Sequence, residues 1–186
     1  MRTRILVMTE GTVTEPAYVE GLQQHLRSRA TTADVRAVKV GKDPLRVVER
    51  CIEHRGADRR KGTPYDHYVC LVDVDRHGTL ERAIARAEQE GILLLISNLK
   101  FEVWLRWHAS SRRSVLTSRQ LDAELQALGL LAGKRLSPRF PFPSWEQAHR
   151  IAHQADPALT AGRMGPDPST AMPVLVDLMR GEHPDA

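Results

Sequence analysis

Four short apolar runs, separated by stretches with helical spacing, constrain the fold of this chain more than any other feature. The runs are RILVMT at 4–9, DVRAVKV at 34–40, HYVCLVD at 67–73 and ILLLI at 92–96. The first, third and fourth read as buried strands, and the second alternates as a half-buried one. Between the first two, residues 16–29 read as a helix with Pro16 in its first turn, where proline is tolerated. Asp43-Pro44 then caps a helix over 44–56, with Leu45, Val48 and Ile52 on one face. A third helix over 79–90 turns Leu80, Ala83, Ile84 and Ala87 inward and stops near Gly91. Strict strand–helix alternation of this kind implies an α/β fold with a mainly parallel sheet and helices on both faces.

After residue 100 the pattern becomes helical, beginning with FEVWLRWH, where core packing accounts for Trp104 and Trp107. A helix over 118–128 precedes a proline-broken surface loop, GKRLSPRFPFP, and helices near 144–155 and 169–180 follow. The expected division is an α/β core over 1–109 and a helical extension over 110–186 packed on it. A chain of 186 residues with 41% hydrophobic and 27% charged residues can bury one sizeable core. Its longest apolar run falls short of the roughly 20 residues a membrane helix needs. No signal-peptide pattern opens it, and Cys51 and Cys70 lack metal-type spacing, so a cytoplasmic protein is expected. The net charge is +4 and comes mostly from arginine. Arginine suits phosphate contacts and suggests a nucleic-acid partner, although a GC-rich genome yields the same composition.

In open parallel sheets, function gathers at the carboxyl ends of the strands. The first strand ends at Glu10, followed by Gly11; the third ends in LVDVDRHG, with Asp73 and Asp75; the fourth runs into Ser97, Asn98, Lys100 and Glu102. Residues i and i+2 of a strand face one side, so Asp73 and Asp75 can point together toward Glu10. Three converging carboxylates repel one another unless a cation sits among them, and Mg²⁺ favours a few carboxylates together with phosphate oxygens. An isolated D-x-D also arises as a turn followed by a helix cap. Thr14 and Glu15 read as the cap and first turn of the following helix, where negative charge suits the dipole. Arg76 and His77 have two readings, phosphate contact or a solvated turn, and Glu102 has two as well, dipole partner or fourth carboxylate.

Four ordered blocks, ILVMTEGTVTEPAYVEGL, VCLVDVDRHGTLERAIARA, LLLISNLKFEVWLRWH and DPSTAMPVLVDLM, resemble those of RloB-like proteins, a family associated with restriction–modification genes and phage defence. The family looks related to the Toprim fold of topoisomerases, primases and certain nucleases. That resemblance implies a Toprim-like, Rossmann-like sheet of about four strands in which Glu10, Asp73 and Asp75 handle a phosphodiester with Mg²⁺ or Mn²⁺. It assigns ligation to the aspartates, and ligation or acid–base work to Glu10. Ser97, Asn98, Phe101 and Glu102 match an SNPxFE block, except that Leu99 replaces its proline. Gly11, Glu15, Arg76, His77, Ser97, Asn98, Lys100 and Glu102 are the supporting candidates. Backbone contacts fall to Arg55, Arg59, Arg60 and Lys61 in one basic loop, and to Arg112, Arg113, Arg119, Arg135 and Arg139 further on; ordinary solvated surface is their other reading. The expected activity is metal-dependent cleavage of DNA or RNA. The alternative is a nucleic-acid-binding or sensor subunit that needs a partner defence protein. A phosphatase with an aspartate nucleophile fits poorly, because Arg76 follows the D-x-D and the motif ends the third strand.

Overall fold

The computed structural model describes residues 2–27, 31–37, 43–74 and 78–182. Among these residues, five strands form one sheet in the order β2-β1-β3-β4-β7. They are β1 (Thr3–Thr9), β2 (Thr31–Ala37), β3 (His67–Asp73), β4 (Leu93–Asn98) and β7 (Ser169–Thr170). The first four run parallel; β7 pairs antiparallel with β4 through Ser97–Thr170 and Asn98–Ser169. A separate two-stranded hairpin joins β5 (Leu131–Ala132) to β6 (Arg135–Leu136).

The helices are α1 (Thr14–Leu26), α2 (Pro44–Arg60), α3 (Leu80–Glu90), α4 (Glu102–Arg106), α5 (Ser118–Ala127), α6 (Trp145–Ala155) and α7 (Met172–Arg180). Each central strand feeds two cores by alternation. Ile5, Val7, Val69, Leu71 and Leu95 meet Tyr18, Val19 and Leu22 of α1 and the C-terminal helices. Leu6, Met8, Cys70, Val72, Leu94 and Ile96 meet Val47, Val48 and Cys51 of α2, and Ala83 and Ala87 of α3. This two-sided burial is why those strands read as unbroken apolar runs. From β1 the chain crosses to β2 in one direction, and then from β2 back past β1 to β3 and β4 in the other. Right-handed crossovers in opposite directions put α1 on one face and α2 and α3 on the other. The order therefore reverses between β1 and β3.

Several sequence expectations shift. The second strand begins three residues earlier than expected, at Thr31, and α2 continues to Arg60. Asp43 does cap α2: its Oδ1 accepts from Leu45 N at 3.1 Å. Thr14 caps nothing; Val13 holds the N-cap position, and the Thr14 hydroxyl donates to the Lys134 carbonyl at 3.3 Å. Residues 169–170, expected as helix, form the edge strand before α7. The stretch expected as surface loop from Gly133 onward supplies the second arm of the hairpin. Trp104 and Trp107 are fully buried, as their spacing suggests.

Candidate functional site

The carboxyl ends of β1, β3 and β4 are stitched together by the backbone of their own last residues. Glu10 N donates to Leu71 O at 3.3 Å, extending the β1–β3 pairing one step past the strand, and Val74 N donates to Ser97 O at 2.9 Å. The Thr9 hydroxyl donates to Gly11 O at 2.6 Å, so the chain leaves the sheet immediately after Glu10. Glu10 is buried, and its Oε2 accepts from Asp73 N at 3.2 Å. Asp73 Oδ1 in turn accepts from Phe101 N at 2.8 Å. Two backbone amides thereby hold two acids in fixed orientation.

Two further acids approach Asp73. Glu102 stands in the first turn of α4. Glu15, in the first turn of α1, folds its carboxylate back over Gly11, where a Cβ would lie 1.9 Å from Oε2. Gly11 has no positive φ, so what its missing side chain provides is room for the Glu15 carboxylate and not a tight turn. Glu10, Glu15, Asp73 and Glu102 line one cleft of about 230 Å³, together with Lys100 and Lys134. Burial, followed by the charges of Glu15, Glu102 and Glu10, pushes the Asp73 carboxyl well above its ordinary range, and the Phe101 amide offsets this only in part.

The donor set is all oxygen and anionic, the chemistry of a hard divalent cation rather than of a nitrogen- or sulfur-loving metal. Among the described residues, no three His, Cys, Asp or Glu side chains close on one point as a finished metal shell. The acids gather round the cleft and remain open. Asp75, Arg76 and His77 lie outside the described residues.

The cations are placed by the C-terminal half. Lys100 Nζ pairs with Asp122 Oδ1 of α5 at 2.6 Å. Lys134 arrives on the β5–β6 turn, which Thr14 holds through the Lys134 carbonyl and Gln126 through the Gly133 carbonyl at 2.6 Å. Sequence reading missed Lys134, though Gly133 between Leu130-Leu131 and Leu136 is a hairpin signal.

Other candidates point elsewhere. The Ser97 and Thr170 hydroxyls bond each other at 2.8 Å, and Asn98 Nδ2 donates to Gly165 O at 3.0 Å, so both residues hold the C-terminal segment. The Asn98–Leu99 peptide is cis. Arg55, Arg59, Arg60 and Lys61 end α2 and its turn at the amino end of the sheet, opposite the acid cleft. Arg55 there bonds the Glu90 backbone and carboxylate. Arg112 lies exposed, and Arg113 Nη1 donates to Gln154 O at 3.0 Å. Arg119 and Arg139 are exposed, and Arg135 follows Lys134 on the hairpin.

Glu10 and Asp73 stand on adjacent strands at the point where strand order reverses, the usual ligand crevice of open α/β sheets. The molecule is thus an α/β protein with an acid cleft at its topological switch point. It belongs to the RloB-like protein family, whose profile matches residues 5–179. No curated protein and no solved structure matches the chain. No helix among the described residues is long and apolar enough to cross a membrane.

Proposed function

We propose that this protein is a Mg²⁺- or Mn²⁺-dependent nuclease of Toprim type, cleaving phosphodiesters in DNA or RNA as part of defence against phage. The observation that carries the proposal is the single cleft lined by Glu10, Glu15, Asp73 and Glu102 at the β1/β3 switch point. Acids brought this close repel one another, and a divalent cation relieves the repulsion. Glu10 and Asp73 would hold the ion, with Glu15 and Glu102 at the rim and Asp75 contributed by the D-x-D. Such an ion supplies an acidified water and charge stabilisation on the phosphate. The chain itself orients the acids: the Phe101 and Asp73 amides fix one oxygen each of Asp73 and Glu10. Lys134 and Lys100 set positive charge on the cleft wall, where a phosphate would lie. Without a cation, Asp73 retains its proton to higher pH than an ordinary aspartate, and binding of the ion displaces that proton.

A second reading is a sensor subunit that cuts only with a partner protein. It is favoured by Lys100, whose Nζ is already paired with Asp122 at 2.6 Å and so leaves less positive charge on the cleft wall for a phosphate. The two separate on incubating the purified chain with plasmid, single-stranded DNA and RNA in Mg²⁺ or Mn²⁺, beside Glu10→Ala and Asp73→Ala. The nuclease reading expects cutting by the wild type and a loss of about 100-fold or more in either variant, the scale on which metal-site residues act. Cutting that survives both substitutions rules this site out. Tight binding with no cutting by any version supports the sensor.

A further inference from the structure

Asp73 also forms the wall of a second, larger chamber on its β4 side. This chamber measures about 580 Å³ and shares Asp73 and Lys100 with the acid cleft. Its apolar surface comes from Val74, Leu99 and Val115, and its polar surface includes Gln120 and Asp167. Gln120 Oε1 accepts from Thr117 N at 2.9 Å, which leaves its amide nitrogen as the donor.

Val115 is 65% exposed, more than the other large apolar side chains described as exposed. The loop beneath it is nonetheless built to stay in place. The buried Arg106 donates from Nη1 to Ser114 O and from Nη2 to Ser114 Oγ, both at 3.0 Å, while its Nε bonds Glu124. A buried guanidinium committed to the residue next to a solvated valine fixes that valine at the chamber's rim.

We propose that the chamber is a nucleobase pocket, taking one unstacked base of the strand whose phosphate lies at Asp73 and reading its amino edge with Asp167. The inference rests on the phosphodiester reading of the acid cleft. At about 230 Å³ that cleft suits a phosphate, whereas the chamber falls within the usual few-hundred-Å³ range for a small organic group. The shared Asp73 joins the two, so a phosphate at one places a neighbouring base at the other. A duplex keeps that base stacked and paired, which makes the substrate single-stranded or unpaired at this point. Asp167 repels a second phosphate but accepts from an exocyclic amine, so cytosine and adenine are preferred to thymine and uracil. Val74, Leu99 and Val115 supply the apolar faces against which the base lies.

The test is fluorescence anisotropy with the full chain in Ca²⁺, using labelled oligo(dC), oligo(rC), oligo(dT) and oligo(rU) of about 12 nucleotides, a duplex of equal length, and parallel cleavage in Mg²⁺ or Mn²⁺. Wild type should bind the cytosine strands about tenfold tighter than the thymine and uracil strands, and tighter than duplex. Val115→Asn, at an exposed position, should weaken single-strand binding about fivefold or more, and Asp167→Ala should erase the base preference. Equal affinity for all probes, or unchanged binding in both variants, overturns the pocket even if the protein cuts. Base-selective binding that depends on Val115 without any cutting overturns the nuclease and leaves the pocket standing. No binding to any probe overturns both.

Discussion

The ionised Asp73 is disfavoured first by burial and then by three acids, and favoured by one amide, and the balance predicts a pH signature. Its folded pKa lies above its ordinary value of 3.8, so the folded state holds a proton that the unfolded chain has released. Stability from this group is therefore full below the ordinary carboxylate range and lost as pH rises through the folded pKa. Asn keeps the oxygen that accepts from Phe101 and removes the charge. In EDTA, Asp73→Asn should melt above wild type at alkaline pH by about 2–4 °C, the equivalent of about 1 kcal/mol in a chain of this size. The gap should close as pH falls. Adding Mg²⁺ should raise the wild-type Tm and leave the variant unmoved, and scanning calorimetry reads both. The places of Glu10 and Asp73 at neighbouring strand ends were legible in the sequence because the end of an apolar run is a local signal. The part played by Glu15 was not: helix-start chemistry explains a glutamate there equally well, and only the Cβ-free space over Gly11 shows its carboxylate turning back toward the strand ends.

At the scale of elements, α1 and the turn after α4 are joined by a buried polar pair that no spacing rule announces. His108 Nδ1 donates to Trp104 O at 3.0 Å, so its Nε2 accepts from the Tyr18 hydroxyl, also at 3.0 Å. Burial pushes this imidazole down to about 4 from 6.5. Between those values the unfolded chain takes up a proton that the folded one refuses, so stability present above 6.5 is lost as pH falls, by at most about 1.4 kcal/mol per unit. The ring should hold the neutral Nδ1–H tautomer in nitrogen-detected NMR from about pH 8 down to roughly pH 5; protonation near 6.5 would contradict the buried pair. The β5–β6 hairpin escaped the sequence reading for a related reason. Each of its strands has two residues, too few for alternation to show, and its position depends on Thr14, 120 residues away. Long helices with local caps were legible: α5 carries a full capping box between Thr117 and Gln120.

Across the whole molecule, the sheet sets the acid cleft and the basic end of α2 at opposite ends. Alternating apolar runs imply a parallel sheet, but strand order is set by packing between distant segments, and it is the order that puts Glu10 beside Asp73. The same topology sends α2 down to the opposite end, so its basic terminus stands about 20 Å from the acids, the length of a seven-residue strand. Replacing Arg59, Arg60 and Lys61 with Gln should leave cleavage of a short oligonucleotide unchanged and lower the salt dependence of binding to long nucleic acid by up to about 3 in slope. A steep loss on the short substrate would mean the strand reaches both ends. The C-terminal part, expected as an all-helical layer, instead adds β7 to the sheet edge, while the Thr31 hydroxyl donates to the Met179 carbonyl at the far edge strand.

The bonds from Ser97 to Thr170 and from Asn98 to Gly165 have a further consequence when the chain is followed in the order of its synthesis. Every acid of the cleft is translated by residue 102, but the segment that pins the end of β4, and with it the loop leading to the Phe101 amide, comes more than sixty residues later. A ribosome that stalls in between carries the acids without the frame that orients them. Any role that rests on their arrangement would then wait until residues 165–170 had been made.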